Sequence, residues 1–337
     1  MGLDYQKLLQ SWKNGAKPQK NEILACLMEE DPNIWQGIFQ TAHDLKEQYH
    51  GRQVLLRAIV EISNYCHCNC SYCGLSFANK SLTRYRMTEE EILTAAQEVA
   101  EAGYRTIILQ SGEDAYYTKE LIGEIVKEIS SKYEMAITLS LGERSRQEYA
   151  YWRDCGAERY LIKHETSSEQ LYNALHPHSS LKRRLECQKD LRELGYVLGG
   201  GFMVGLPGQN LQILADDICL LAEMSVGMAG IGPYISHPKT ALAGSLDGSP
   251  LLTLKALALT RLLLPKVNLP STTALNVKGN YQSALYCGAN VMMQKANPSY
   301  LQKLYEIYPM EYAEDRPLSE KRAILLNDLQ KAGFSGL

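Results

Sequence analysis

The densest group of cysteines in the chain reads Cys66-His67-Cys68-Asn69-Cys70-Ser71-Tyr72-Cys73, and it holds four of the nine cysteines among 337 residues. Clustered thiols add nothing to the packing of a strand or a helix, and disulfides are rare in reducing compartments. Thiolates are, however, strong ligands for zinc and for iron–sulfur clusters. The stretch therefore predicts a metal site.

Three of these cysteines, Cys66, Cys70 and Cys73, have the spacing C-x3-C-x2-C. They can bind three irons of a [4Fe–4S] cluster and leave the fourth iron open, whereas electron-transfer clusters usually have four cysteine ligands. This spacing, with the aromatic Tyr72 before the last cysteine, is the signature of radical S-adenosylmethionine (SAM) enzymes. The alternative, a zinc knuckle that also uses Cys68, is disfavoured because four-cysteine zinc sites normally consist of two separated pairs.

The composition is that of an ordinary globular protein, with 45% hydrophobic and 22% charged residues. A net charge of −3 gives no indication of a nucleic acid or an acidic membrane surface as a partner. The N-terminus is polar, and no run of 18 apolar residues predicts a membrane span. The other five cysteines are isolated, as is typical of a reducing compartment. We therefore expect a cytoplasmic protein.

The hydrophobic pattern predicts three regions: an N-terminal helical cap (1–50), a barrel (51–310) and a C-terminal helical extension (311–337). Within the second region short apolar runs alternate with helical patterns. The predicted strands are 55–62, 105–109, 136–141, 159–163, 200–204, 228–231, 269–273 and 289–293. Eight β-then-α units predict an α/β fold, a (β/α)8 barrel of the TIM type. The alternative is an open six-stranded parallel sheet.

Polar motifs follow most of these strands, and the carboxyl ends of barrel strands converge on one mouth. Ser111-Gly112-Glu113 is either a turn that caps the next helix or, beside such a cysteine loop, a site for the methionyl amino group of SAM. Glu165 and Arg184 suit ribose hydroxyls and a carboxylate, although Arg184 lies in a run of basic residues typical of a solvated helix face. His164 is either a general base or a structural histidine.

Several other residues have ordinary interpretations. The segment 205–209 lacks the pattern of a phosphate-binding loop and is predicted to be a tight βα turn. His176 and His178 flank Pro177 and indicate a turn. The tyrosines of the last third are either ordinary packing residues or an aromatic wall over the barrel mouth; they are Tyr281, Tyr286, Tyr300, Tyr305 and Tyr308.

Seven motifs together resemble those of the HydE family of radical SAM enzymes. This family comprises maturases of [FeFe]-hydrogenase and is related to biotin synthase and methylornithine synthase. The motifs are CSYCGL at 70–75, RYRMT at 84–88, LQSGED at 109–114, LSLGE at 139–143, HET at 164–166, MVGLPGQ at 203–209 and GIGPY at 230–234. The resemblance spans about residues 50 to 310. It implies a complete barrel, a [4Fe–4S] cluster, SAM as cofactor, and reductive cleavage of SAM to methionine and a 5′-deoxyadenosyl radical.

The resemblance also implies roles for single residues. Cys66, Cys70 and Cys73 would hold the cluster, and the expected SAM contacts are Tyr72 at the adenine, Ser111, Gly112 and Glu113 at the amino group, Glu165 at the ribose, Arg184 at the carboxylate, and Ser140 and Met203. The expected substrate contacts are Thr138, Lys163, Met228, Thr272, Thr273, Met293, Tyr305 and Tyr308. In such enzymes the substrate is an organometallic iron–cysteine–carbonyl–cyanide species. An external electron donor and other hydrogenase maturases are the implied partners.

The sequence departs from the family at three places. No cysteine follows Cys287, so a second cluster is not expected, and the segment 275–282 reads LNVKGNYQ instead of the expected proline/glycine-arginine-rich stretch. Lys163 stands where arginine is expected, and the two are not equivalent at a bidentate site. Two alternatives therefore stay open. One is a HydE-like enzyme for another small amino-acid- or thiol-derived substrate, and the other is a non-catalytic carrier of an iron complex.

Overall fold

The computed structural model describes residues 4–277, 281–310 and 316–337. Three helices come first: α1 (Tyr5–Lys13), α2 (Lys20–Met28) and α3 (Pro32–His50). Asp4 caps α1 by accepting from the backbone N–H of Lys7, and Asp31 caps α3 just before a proline suited to the first turn. Their apolar faces bury Trp12 and Ile38, and α2 and α3 pack on the outer helices of the barrel.

Eight parallel strands form the barrel: β1 (Gln53–Ser63), β2 (Thr106–Ser111), β3 (Ala136–Ser140), β4 (Arg159–Leu161), β5 (Val197–Val204), β6 (Met228–Pro233), β7 (Pro270–Ser271) and β8 (Val291–Lys295). Their order is β6-β5-β4-β3-β2-β1-β8-β7. A parallel bridge between Met228 and Asn268 joins β6 to the start of β7, where Ala229 N–H donates to the Asn268 carbonyl at 2.9 Å. The predicted (β/α)8 barrel is confirmed, and the open six-stranded alternative is wrong.

The outer layer consists of helices that follow the strands. They are α4 (Glu89–Glu101), α5 (Lys119–Lys132), α6 (Arg146–Asp154), α7 (Glu169–Leu175), α8 (Leu181–Glu193), α9 (Leu211–Glu223), α10 (Pro250–Leu263), α11 (Thr273–Asn276), α12 (Tyr281–Tyr286), α13 (Ser299–Gln302) and α14 (Leu318–Lys331). A short strand β9 (Ser335–Gly336) pairs with the start of β1. The sequence pattern did not predict α7. Among the described residues, no helix is both long and apolar enough to cross a membrane.

Two strands are shorter than predicted, for local reasons. Strand β4 ends at Leu161 because the chain turns after it, and Glu165 has a positive φ of 62°. Strand β7 ends at Ser271 because Thr272 caps α11, accepting from the Leu275 N–H. Residues 278–280 of the atypical segment, and 311–315 at the start of the predicted extension, lie outside the described residues.

The inward side chains of β1 show how the barrel is layered. Arg57, Ile59 and Glu61 alternate with buried outward-facing residues, as the period of two in a strand requires. Arg57 lies deepest, with its Nη1 3.0 Å from the Met228 Sδ at the first residue of β6. Ile59 and Glu61 line a cavity above it that opens at the carboxyl ends of the strands.

Candidate active site at the barrel mouth

The cysteine stretch forms a loop directly after β1, and hydrogen bonds to its backbone fix its shape. The Cys73 N–H donates to the Cys70 carbonyl at 3.3 Å, which closes a turn around the last two motif cysteines. Arg84 donates to the carbonyls of Leu75 and Ser76 at 2.8 Å each. Five guanidinium donors in a rigid fork suit such carbonyl clamping. Arg84, the first arginine of the RYRMT motif, therefore supports the loop rather than contacting a ligand.

The thiols of Cys66, Cys70 and Cys73 are partly accessible, whereas Cys68 is only 2% exposed. Cys70 and Cys73 line the cavity. Burial raises the pKa of Cys73 to about 12 and that of Cys70 well above its usual value, while the hydrogen bond from the Cys68 thiol lowers the pKa of Cys66 to about 7. Three soft sulfur donors on one loop beside an enclosed cavity fit a thiolate-bound iron–sulfur cluster.

The Ser111-Gly112-Glu113 motif contacts the cysteine loop through its backbone. A Cβ at Gly112 would lie 2.2 Å from the Tyr65 carbonyl oxygen, so only glycine allows this approach. The Glu113 N–H lies 3.4 Å from the Cys66 Sγ, and the His67 N–H donates to the Glu113 carbonyl at 3.1 Å. The motif thus connects the carboxyl end of β2 to the first motif cysteine.

A buried arginine and two carboxylates form the polar network behind this motif. Arg184 is 9% exposed, and its Nε lies 3.0 Å from Glu143 Oε1 and 2.9 Å from the Tyr172 hydroxyl. Its Nη2 lies 3.8 Å from Glu113 Oε1, which accepts from the Glu143 N–H at 3.0 Å. Burial alone lowers the pKa of Arg184, but these partners raise it well above its usual value. The basic run around it is not simply a solvated face, since Lys182 is exposed and Arg184 is inside.

The residues after β4 alternate between two sides. Lys163 and Glu165 line the cavity and form an ion pair of 2.9 Å between Nζ and Oε2. His164 lies on the opposite side, buried against Phe202, with its Nε2 3.8 Å from Asp217 Oδ1. Burial lowers its pKa to about 3. His164 is therefore a structural histidine, and the general-base alternative is wrong.

The turn between α7 and α8 forms a second wall beside the cysteine loop, and the sequence had indicated only a turn there. The Ser71 N–H donates to the Leu175 carbonyl at 3.0 Å, and the Tyr72 hydroxyl lies 2.9 Å from His176 Nε2. The His176 Nδ1 lies 2.8 Å from the Tyr172 carbonyl, which can only accept, so Nε2 accepts from Tyr72. Burial lowers the pKa of His176 to about 4, which keeps the ring neutral.

The cavity inside the barrel mouth has a volume of about 340 Å³. Of the predicted site residues, those that line it are Cys70, Tyr72, Cys73, Lys163, Glu165, Met203, Thr272, Thr273, Met293, Tyr305 and Tyr308. Those that do not line it are Cys66, Ser111, Gly112, Glu113, Ser140 and Arg184 on the cofactor side, and Thr138 and Met228 on the substrate side. Met228 contacts Arg57 at the barrel floor, and the buried Thr138 Oγ1 has no hydrogen-bond partner among the described residues.

The sequence did not predict a polar group on the far wall of the cavity. Lys295 Nζ lies 3.0 Å from Glu61 Oε1, and the Gln110 amide donates to the Tyr305 hydroxyl at 3.1 Å. Glu61 is 4% exposed, and burial raises its pKa to about 7. The Asn297 side chain fixes the Glu61 backbone with two hydrogen bonds of 2.8 Å. A charged residue at an inward position of a predicted strand was the signal that could have revealed this pair.

The tyrosines of the last third of the chain do not all have the same role, and some belong to the aromatic wall considered from the sequence. Tyr305 and Tyr308 line the cavity and form part of a wall over its mouth. Tyr286 and Tyr300 are exposed, and the Tyr286 hydroxyl donates to the Ala332 carbonyl at 2.9 Å. The segment 205–209 is the predicted βα turn, closed by the Gln209 side chain, which accepts from the Gly205 N–H at 2.7 Å.

Comparison with known proteins places this geometry in context. Residues 60–219 match the model of the Radical SAM superfamily. The chain is 49% identical over 281 residues, 83% of its length, to the "[FeFe] hydrogenase maturase subunit HydE" of Thermotoga maritima, covering 80% of that protein. It is 25% identical over 82% of its length to a 3-methylornithine synthase of Methanosarcina acetivorans, covering 79% of that protein.

Two solved structures share the fold. A methylornithine synthase structure (PylB) superimposes with a TM-score of 0.87 at 23% identity, covering 98% of this chain and 97% of the other. The maturase HydG from Carboxydothermus hydrogenoformans superimposes with a TM-score of 0.82 at 22% identity, covering 99% of this chain and 79% of the other. At these identities the likeness extends to the barrel architecture alone.

Proposed function

The chain belongs to the radical SAM superfamily, within the HydE family of [FeFe]-hydrogenase maturases, and we propose that its cavity processes an iron-bound, cysteine-derived precursor of the hydrogenase diiron site. The observation that carries this proposal is the junction of two features. Cys70 and Cys73 line a cavity of about 340 Å³, and the buried Arg184 network adjoins the third cysteine of the triad, Cys66, through Glu113. A simple iron carrier would have no use for the network.

A [4Fe–4S] cluster and SAM are the cofactors of this enzyme. When bound and reduced by an external electron donor, the cluster would pass one electron to SAM, whose cleavage would give methionine and a 5′-deoxyadenosyl radical. We assign the cluster to Cys66, Cys70 and Cys73. The protein's own part is to bind, orient and exclude solvent, because the cofactors carry out the difficult chemistry.

Each polar group of SAM has a matching side chain near the cysteine loop. The buried guanidinium of Arg184 suits the SAM carboxylate, and Glu143 and Tyr172 already hold it in place, so it need not reorganise on binding. Glu113 suits the amino group and Glu165 the ribose. Tyr72, held by His176, forms part of the adenine pocket. Ser111, Gly112, Ser140 and Met203 complete the proposed SAM site.

The substrate would occupy the cavity beyond SAM. We propose contacts from Lys163, Thr272, Thr273, Met293, Tyr305 and Tyr308, all of which line it. Thr138 and Met228 are proposed as deeper contacts, and the unpartnered Thr138 hydroxyl supports this because a buried polar atom favours a partner. Apolar residues such as Ile59 and Leu161 keep water from the reacting centre.

A second candidate is a HydE-like reaction on another small amino-acid- or thiol-derived molecule. Lys163 favours it, because an ammonium replaces the bidentate fork that an arginine would offer a substrate carboxylate. Both candidates need an external electron donor, and the first also needs the other maturases. We further propose that residues 1–50 cap the barrel of 51–310, and that 311–337 form an extension of it.

The test is genetic replacement. A strain that lacks its own HydE and makes inactive [FeFe]-hydrogenase should regain hydrogen production when it expresses this chain. The variant Cys70→Ala, produced at the same level, should give none. Hydrogen production that stays at the level of the Cys70→Ala strain, from a wild-type chain that cleaves SAM in vitro, would overturn the maturase assignment and favour the second candidate.

A further inference from the structure

The end of α7 and the turn after it contact the cysteine loop at three points. Leu175, His176 and His178 contact Ser71, Tyr72 and Asn69 respectively, at 3.0, 2.9 and 3.2 Å. The contacts of Leu175 and His176 hold Ser71 and Tyr72 of the loop in place. The third contact sets the orientation of an imidazole ring whose other nitrogen points at a motif cysteine.

The partners of His178 determine which of its nitrogens carries the proton. The Asn69 backbone N–H donates to Nδ1 at 3.2 Å, so Nδ1 must present its lone pair. A neutral imidazole then carries its hydrogen on Nε2. This Nε2 lies 3.9 Å from the Cys70 Sγ, within reach of a hydrogen bond to sulfur. The donor direction follows from the Asn69 contact alone.

We propose that His178 is a positioning residue that donates a hydrogen bond from Nε2 to the sulfur of Cys70 and so raises the reduction potential of the cluster. The inference rests on the proposed function, since it takes Cys70 as a cluster ligand. Hydrogen bonds to cluster sulfurs stabilise the more negative, reduced form and are one of the main determinants of its potential.

The donors to the other two motif sulfurs differ in kind from His178. The Cys66 Sγ lies 3.4 Å from the Glu113 N–H, and the backbone of Leu75 donates to Cys73. These two are backbone donors, which a side-chain substitution leaves in place, and the side-chain donor to Cys66, the Cys68 thiol, belongs to the cysteine loop itself. At Cys70 the donor is a side chain that comes from more than a hundred residues away, so it can be removed without substituting any residue of the cysteine loop.

The experiment is an EPR-monitored redox titration of the reconstituted protein without SAM. His178→Phe keeps the ring volume and removes the donor, so its midpoint potential should be more negative than that of the wild type. His178→Gln keeps an N–H donor and should fall between the two. Iron and sulfide contents should be unchanged in both variants.

Ser179→Ala is the matched control, because it loosens the same turn without touching a cysteine: the Ser179 hydroxyl donates to Glu143 Oε1 at 2.8 Å. Its midpoint potential should equal that of the wild type. The proposal is wrong if His178→Phe has the wild-type potential, if Ser179→Ala shifts it as much, or if His178→Phe fails to assemble the cluster. A wild-type chain that assembles no cluster would instead contradict the proposed function.

Discussion

Two walls face each other across the barrel mouth, and they are built differently. The proposed cofactor wall consists of the cysteine loop (64–81), Ser111-Gly112-Glu113, Glu143 and Arg184. Contacts between its elements interlock it, such as the ion pair of 3.0 Å between Arg184 and Glu143. The proposed substrate wall consists of Lys163, Thr272, Thr273, Met293, Lys295, Tyr305 and Tyr308. Its side chains come from four regions of the chain, among apolar neighbours and two ion pairs.

The difference shows how one fold can keep its cofactor chemistry and change its substrate. On the cofactor wall the side chains of Glu113, Glu143 and Arg184 each contact another element, so a substitution disturbs several contacts together. On the substrate wall a residue such as Lys163 can change without moving the cysteine loop. The methylornithine synthase structure has the same barrel and is named for a different activity, in line with the rule that a fold does not fix a function.

The largest effect is expected within the cysteine loop itself. Cys70→Ala should abolish the cluster absorbance and the formation of 5′-deoxyadenosine, because two thiolates cannot hold the cluster that three hold. Cys68→Ala should keep both, since its buried thiol contacts Cys66 rather than the cavity. Iron analysis and visible spectra after anaerobic reconstitution measure this, and equal loss in both variants would mean that the ligand set is wrong.

The next effect is expected at the centre of the cofactor wall. Arg184→Met should weaken SAM binding by about 30-fold or more, because truncating one member of a buried charged pair costs about 2–5 kcal/mol. The exposed neighbour Lys182→Met serves as the control and should bind SAM like the wild type. Isothermal titration calorimetry of the reconstituted protein measures both, and similar affinities for the two variants would refute the role of Arg184.

A smaller and more selective effect is expected on the substrate wall. Lys163→Met should reduce hydrogenase maturation by about tenfold or more, because the substrate loses a charged hydrogen bond. SAM affinity should fall much less than in Arg184→Met, because Lys163 reaches the SAM site only through its ion pair with Glu165. Lys163→Arg should retain most of the maturation activity, since the charge remains. The two walls would not be separable in function if Lys163→Met weakened SAM binding as strongly as Arg184→Met.

The smallest effect is expected in the stability of the protein rather than in its activity. Burial raises the pKa of Glu61 from 4.5 to about 7, so the folded state binds this proton more tightly than the unfolded state. The resulting stabilisation is full below pH 4.5 and is lost as the pH rises to about 7. It amounts to about 3 kcal/mol at most.

Denaturant unfolding of the wild type and of Glu61→Gln between pH 4.5 and 8 measures this effect. The free energy of unfolding should fall more steeply with rising pH in the wild type than in the variant. Asp217, whose pKa burial also raises to about 7, contributes equally to both proteins, so the difference isolates Glu61. Parallel curves would show that the Lys295 ion pair keeps Glu61 ionised throughout.

The sequence alone located the cysteine triad and Ser111-Gly112-Glu113 at the ends of neighbouring strands, because each motif is contiguous, but it did not single out Glu143. The C-x3-C-x2-C spacing and the glycine of Ser111-Gly112-Glu113 carry their geometry in the order of residues. The register of eight strands then brings them to one mouth. The barrel itself followed from the alternation of apolar runs, even where β4 and β7 proved shorter than predicted.

What the sequence could not reveal are pairings between distant residues. His178 meets Cys70 across 108 positions, and Lys295 meets Glu61 across 234. No spacing rule connects such residues, because their contact depends on how α7 and β8 pack on the barrel. The sequence could not decide the role of His164 for a different reason. Alternation after β4 decides whether a residue faces the cavity, and this depends on where the strand ends.

The measurement that tests the central claim most directly is product analysis after anaerobic reconstitution with iron and sulfide, reduction by dithionite and addition of SAM. We expect the wild type to form 5′-deoxyadenosine and methionine in equal amounts and Cys70→Ala to form neither. A wild-type protein that carries a reducible cluster, binds SAM and still forms no 5′-deoxyadenosine, with or without candidate substrates, would contradict this claim.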